Sequence, residues 1–222
     1  MIAMLAVLVG LAAPLDSQIV LERYAARLLA LEPPKAVIFS YSVSQAGPRN
    51  IEQTHRQYRS GESVRDETLT VDGQPLRPKI TRIARYRDRY AVDAIAPRAT
   101  QYAFLFIRAV RAGNAYDYVY RAEPLNATGN FVVEGLTIDG KTYLPSLIRF
   151  RTSNGTLAGT GSIGFAKSGK YWVATAANVA ATVNGKPARE RITFSGYQFP
   201  GSLPKSTFQA PKPLPTPALP SF

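Results

Sequence analysis

His55 is the one histidine of a 222-residue chain that has no cysteine, so acid–base or nucleophilic chemistry would have to be built around it. A serine–histidine–acid triad needs a serine presented on a sharp strand-to-helix turn and a carboxylate behind the imidazole. His55 instead lies in a polar, strand-like stretch between Thr54 and Arg56, and the chain contains no nucleophile-elbow pattern. A lone histidine in such a stretch reads as a surface residue. A metal site fares no better, because zinc wants three or four Cys, His or carboxylate ligands and calcium a cluster of oxygens. Asp66, Glu67 and Asp88 stand among arginines, where ion pairing is their expected role. The residue types therefore point away from an enzyme and imply no cofactor.

The glycines Gly155, Gly159, Gly161, Gly164 and Gly169 fail as a phosphate loop, since no Gly-Lys-Ser/Thr follows and no helix starts there. At period two inside a strand they mark curvature, or a place where something packs close to the sheet. Curvature suits a sheet that wraps a cavity. The ten Phe, twelve Tyr and one Trp lie largely on strand-like segments. Tyrosine has an apolar body and a wet tip, which suits a wall facing an amphiphile as well as an ordinary β core. Strand parity selects Phe39, Tyr41, Tyr118, Phe131, Phe150 and Phe165 as candidate cavity-lining residues, without saying which sheet face is the concave one. The arginine-rich run contributes Arg82, Arg85, Arg87 and Arg89 as candidate contacts to an anionic surface. With a net charge of +12, anionic headgroups or acidic polymers are natural partners. The plainer reading is that these side chains solvate strand edges and outward faces.

The elements that must position these residues are mostly strands. Asp72-Gly73, Asp139-Gly140, Asn154-Gly155 and Asn184-Gly185 each separate segments of alternating polarity. Such dipeptides suit the type I′ turn, whose central residues both need φ > 0, so an antiparallel meander is expected. Ahead of it, Asp16 or Ser17 can cap a helix carrying Ile19, Val20, Leu21, Tyr24, Leu28, Leu29 and Leu31 at helical spacing, with Pro33-Pro34 as its stop. From Lys35 the period changes to two. Tyr102 to Val110 is apolar on every face, so periodicity leaves it open as a buried strand or a short helix.

No charged side chain precedes Asp16, and Ile2 to Leu11 is nearly continuous apolar sequence. That is shorter than the roughly 20 residues a membrane-spanning helix needs, but it fits the apolar region of a signal peptide. Residues 1–12 are expected to be that signal, cleaved near Ala12 or Ala13. Residues 16–200 then form a single domain, and 201–222 a proline-rich extended tail. An exported chain without cysteine relies on its core rather than on disulfides and carries no lipid anchor on cysteine. Export to the periplasm or cell envelope makes nucleic acid an unexpected partner, and a monomer is expected.

Several stretches resemble the LolA-like superfamily of periplasmic lipoprotein carriers and lipid-binding proteins. They are Gln57 to Glu67, Gly140-Lys141-Thr142-Tyr143-Leu144-Pro145-Ser146, Gly169-Lys170-Tyr171-Trp172-Val173, and the closing Arg189 to Phe199. The resemblance spans most of residues 16–200. It implies a mainly β fold with an N-terminal amphipathic helix, the curved antiparallel sheet forming an incomplete, half-open β-barrel. It further implies acyl chains of a lipid or lipoprotein as cargo, carried or sensed without catalysis. The internal helices that close this family's barrel are hard to find, with Tyr102 to Val110 the only candidate. The reading from a different class is a basic envelope protein that docks on anionic lipid headgroups or acidic polymers and has no internal lipid cavity.

Overall fold

The computed structural model describes residues 13–47, 50–86, 92, 96–126 and 130–210. Arg87, Arg89, the apolar stretch Ile2 to Leu11 and the last twelve residues of the tail lie outside that set. The first element is helix α1, Ser17–Leu29. Asp16 caps it, its carboxylate accepting from the backbone N–H groups of Gln18 at 2.8 Å and Ile19 at 3.4 Å, which satisfies donors that a helix start otherwise leaves free. The helix ends at Leu29, before Pro33. Eleven strands follow: β1 Ala36–Ala46, β2 Ile51–Ser60, β3 Ser63–Val71, β4 Gln74–Arg85, β5 Tyr102–Ala112, β6 Ala115–Pro124, β7 Phe131–Asp139, β8 Pro145–Thr152, β9 Leu157–Ser168, β10 Tyr171–Val183 and β11 Lys186–Gln198. Tyr102 to Val110 is thus strand, and α1 is the one α-helix among the described residues.

The strands form one curved, open antiparallel sheet in the order β4-β3-β2-β1-β11-β10-β9-β8-β7-β6-β5. Neighbours in sequence are neighbours in space except that β1 pairs with β11, which puts β4 and β5 at the two free edges. Two of the Asx-Gly dipeptides make the expected turn. Asp72 and Gly73 have φ of 48° and 77°, and Asn184 and Gly185 have 49° and 78°. The other two differ. After Asp139 the left-handed position is taken by Tyr143, φ 54°, while the Asp139 carboxylate accepts from Lys141 N, Thr142 N and Thr142 Oγ1. Gly140 is needed there for closeness rather than for its dihedral, since a Cβ on it would lie 2.0 Å from the Tyr116 carbonyl oxygen.

Directly opposed residues of an antiparallel pair project from the same face, so the pairing sorts side chains into two sets. The inner face carries α1. Val20, Tyr24 and Leu28 of the helix pack on Tyr118, Tyr120, Leu136 and Ile138 of β6 and β7 and on Ala96 of the β4–β5 connection. Two carbonyls tie the helix position: Tyr24 donates to Pro97 O at 2.7 Å and Tyr120 to Ser17 O at 2.8 Å. At Gly159 a Cβ would lie 2.4 Å from Ala180 O and 2.7 Å from Ala181 Cα. Here β9 and β10 approach too closely for a side chain, which is the close packing the glycine series suggests.

Candidate functional site

The helix covers only part of the inner face. In the middle of the sheet Val43, Ile163, Phe165, Val179, Ile192 and Phe194 stand on that face, each half-buried, while their outward neighbours Ser44, Gly164, Asn178, Ala180, Arg191 and Thr193 are exposed. A largely apolar wall therefore runs across the central strands beyond the edge of α1, with Glu190, opposite Val179, as its charged member. It is bounded by two aromatic groups. One lies beneath and beside the helix: Tyr120 meets Phe104 and Phe106 edge-on at centroid distances of 6.4 and 5.7 Å. The other gathers Phe39, Tyr41, Phe194 and Tyr197, with Phe39 stacked on Tyr197 at 5.2 Å. The wall between them includes small residues at Gly159, Gly161, Ala177 and Ala181.

All six aromatic candidates project from the inner face, but they do different things there. Tyr118 is buried beneath the helix, and its hydroxyl accepts from the Leu15 backbone N–H at 2.7 Å, so it positions the start of α1. Phe150 is buried and stacks at 5.1 Å on Phe131, which is 48% exposed at the rim. Phe165 belongs to the half-open wall, paired across from Ala174. Phe39 is buried. Of the four arginine candidates, Arg82 and Arg85 are exposed on edge strand β4 and fall on opposite faces, Arg82 opposite Asp66 and Arg85 opposite Ser63. Arg87 and Arg89 lie outside the described residues.

Tyr41 anchors a polar cluster that the sequence does not announce. Its ring stacks on His55 at 4.6 Å with the planes 6° apart, and its hydroxyl donates to Asp66 Oδ2 at 2.6 Å. The other Asp66 oxygen lies 2.8 Å from His55 Nδ1, and Gln57 adds a 3.1 Å hydrogen bond to Oδ2. Burial, reinforced by the Asp66 hydrogen bond and charge, pushes the Tyr41 phenol well above the ordinary tyrosine range. His55 is thus not the surface residue its polar neighbours suggest; only 9% of it is exposed. The available signal was period two, which places His55 directly opposite Tyr41 once β1 and β2 are paired. Thr68 Oγ1 stands 3.4 Å from His55 Nδ1, on the same ring nitrogen that Asp66 holds, and Ser40 and Ser42 face the other way. Among the described residues no group of three His, Cys, Asp or Glu side chains could hold a metal ion.

The chain superposes on a LolA superfamily protein from Nitrosomonas europaea with a TM-score of 0.52 at 12% identity, covering 88% of this chain and 98% of that one. It matches an outer membrane lipoprotein-sorting protein domain from Vibrio parahaemolyticus with a TM-score of 0.56 at 15% identity, over 87% and 97% of the two chains. A DUF1329 family protein from Desulfovibrio piger gives 0.56 at 10% identity over 86% and 96%. No family model and no curated protein sequence matches. The open, curved eleven-stranded sheet joined through the β1–β11 pair, with a helix on its inner face, matches the LolA-like fold of these structures. This chain adopts it over nearly the whole length of those neighbours.

Proposed function

We propose that the protein is a non-enzymatic carrier or sensor of the cell envelope that holds the acyl chains of a lipid or lipoprotein against the inner face of its sheet. The observation that carries this reading is the half-open apolar wall of Val43, Ile163, Phe165, Val179, Ile192 and Phe194 beyond the edge of α1. Burying a methylene is favourable by roughly 0.8 kcal/mol, so a chain of about ten carbons laid along such a wall binds usefully even after the costs of association. The lipoprotein-sorting neighbour of the same fold, the apolar N-terminal stretch and the meagre acid–base inventory support it.

Mass spectrometry of the organic extract of protein purified from its native host is the test, followed by binding of a fluorescent fatty acid. Extractable acyl lipid and saturable probe binding are expected, with Phe165→Glu reducing probe affinity at least tenfold, because a carboxylate would then face the alkyl chain. A wild-type protein that carries no lipid and ignores the probe would defeat the reading.

A further inference from the structure

The outer face, opposite the apolar wall, has an organisation of its own on the β5–β9 side. Leu105, Arg121, Gly135, Arg149 and Thr160 face one another in register from β5 to β9. Next to them runs a second transverse row of Arg108, Val119, Thr137, Leu147 and Ser162. Between the rows lies an open groove of about 330 Å³, lined among others by Ile107, Arg108, Arg121, Leu147 and Arg149. A second depression of about 400 Å³ shares Leu147 and Thr160 with it and continues over β9–β11 to Arg189 and Arg191. Gly135 has no side chain to fill the first groove, and Arg149 passes over it: a Cβ built there would lie 3.7 Å from the guanidine Nε.

These arginines have little anionic company. Among the described residues neither Arg108 nor Arg149 makes a hydrogen bond or ion pair, and Arg121 meets Glu123 at 3.0 Å in a solvent-exposed pair, which is worth little. Of the other carboxylates on this face, Glu134 is held by Arg151 at 2.7 Å, and Asp117 and Asp139 stand opposite Val110 at the far end of β5, where Asp139 is committed to its own turn. Large apolar side chains flank the guanidinium groups. Leu105 is 50% and Ile107 54% exposed, and Phe106 and Val110 of the same edge strand are also open to solvent. Guanidinium groups take phosphate oxygens in a bidentate fork, and exposed aliphatics beside basic residues mark an interfacial contact.

We propose that this groove and the adjoining β5 edge dock the protein on an anionic phospholipid membrane, with Arg108, Arg121 and Arg149 taking lipid phosphates while Leu105 and Ile107 enter the interface. An acidic peptide would also satisfy the arginines. It would lie on one side of β5, however, whereas the apolar side chains of that strand project from both faces. A lipid interface wets both at once. The surface is separate from the inner wall, so docking does not depend on what the wall holds.

Co-sedimentation of the full chain with phosphatidylcholine vesicles, with and without a phosphatidylglycerol fraction, tests this. Binding is expected only when phosphatidylglycerol is present. The double variant Arg108→Glu/Arg149→Glu should lose at least tenfold in affinity. Leu105→Ser/Ile107→Ser should lose several-fold, most visibly at high salt, where the electrostatic share is screened. Arg82→Glu/Arg85→Glu on β4 changes the net charge by the same amount as the groove pair and should stay within twofold of wild type. Should the groove reversal fail to fold, Arg108→Gln/Arg149→Gln provides the same comparison. Equal losses from the β4 and groove variants would overturn the proposal, leaving general charge attraction. Wild-type binding by the groove variants, or groove-dependent binding to polyglutamate but not to vesicles, would overturn it equally.

Discussion

The two free edges of the sheet are built on opposite plans. Strand β4 carries Pro75 and Pro78, which have no N–H to offer a neighbour, and Arg77, Lys79, Arg82 and Arg85 along its length. Proline and charge are how sheets discourage another chain from pairing with an open edge. Strand β5 has no proline and exposes Leu105, Phe106, Ile107 and Val110 around Arg108. The flanks behind the edges differ in the same sense. Behind β5 the structure is held by apolar packing of α1 on β6 and β7. Behind β4 the buried apolar residues Val37, Phe39 and Val64 are joined by partly buried polar clusters: Tyr41, His55 and Asp66 on the inner face, and Glu67 with Arg65 at 2.6 Å and Lys79 at 3.4 Å on the outer. A guarded edge over a polar flank, against an open edge over an apolar one, suggests that only the second is meant to meet something.

The largest effect should come from the apolar flank. Tyr24 is 1% exposed, packs edge-on against Phe104 and bonds Pro97 O. Tyr24→Ala should cost about 3–5 kcal/mol in urea unfolding, from lost burial plus the cavity left behind. A cost below about 1 kcal/mol would mean that α1 is an accessory rather than part of the core. On the polar flank, Asp66→Ala leaves Tyr41, His55 and Gln57 without their shared acceptor, which should cost about 1–3 kcal/mol. Asp66→Asn keeps one acceptor oxygen and should cost less than the alanine variant. Equal losses from the two would break the comparison, because the cluster would then act by filling space rather than by hydrogen bonding.

Alkaline titration compares the flanks directly. Desolvation raises the phenols of Tyr24 and Tyr120 on the apolar side, and of Tyr41 on the polar side, above the usual value of about 10. In the unfolded chain these groups would ionise near pH 10, so the native state holds the protons more tightly. Stability tied to them is intact below about pH 10 and falls as pH rises beyond it. Absorbance at 295 nm should show at least these three tyrosines ionising only with unfolding. Free titration of all twelve near pH 10, with the fold intact, would contradict the burial.

Much of this was legible in the residues. Period two marks the strands and Asx-Gly marks the turns, and parity selects Phe39, Tyr41, Tyr118, Phe131, Phe150 and Phe165 strand by strand, while their sharing one face follows from the strand pairing. The long-range pairing was harder to read. Which face is inner depends on where α1 docks, and α1 touches strands more than eighty residues away. His55 looked exposed because its neighbours in sequence are polar, while its burial comes from Tyr41 and Asp66 on the adjacent strands. The contrast between β4 and β5 was also hidden, since a single strand's composition does not say that it will be an edge. Tyr102 to Val110 shows the difficulty: a run with apolar residues on every face suits a buried strand or a helix, and it became the open edge instead.

The smallest effect is expected after β11. The chain passes from Gln198 to a short 3-10 turn, Lys205–Phe208, and there Arg65 Nη1 donates to the Thr207 carbonyl at 3.1 Å. The same guanidinium binds Glu67 at 2.6 Å through Nη2, so the turn completes the polar cluster behind the guarded edge. Ending the chain before Lys205 leaves the Arg65–Glu67 pair in place and frees a single donor, which water can reach because 22% of the Arg65 side chain is exposed. The cost should be about 1 kcal/mol, read as a small fall in the urea midpoint with an unchanged slope. Arg65→Ala in the full chain should cost more than the truncation, since it also leaves Glu67, which is 6% exposed, with Lys79 alone at 3.4 Å. If the truncation proves the more damaging, residues beyond Thr207 must be holding the β4 flank, and that flank would depend on the tail rather than on its own charges.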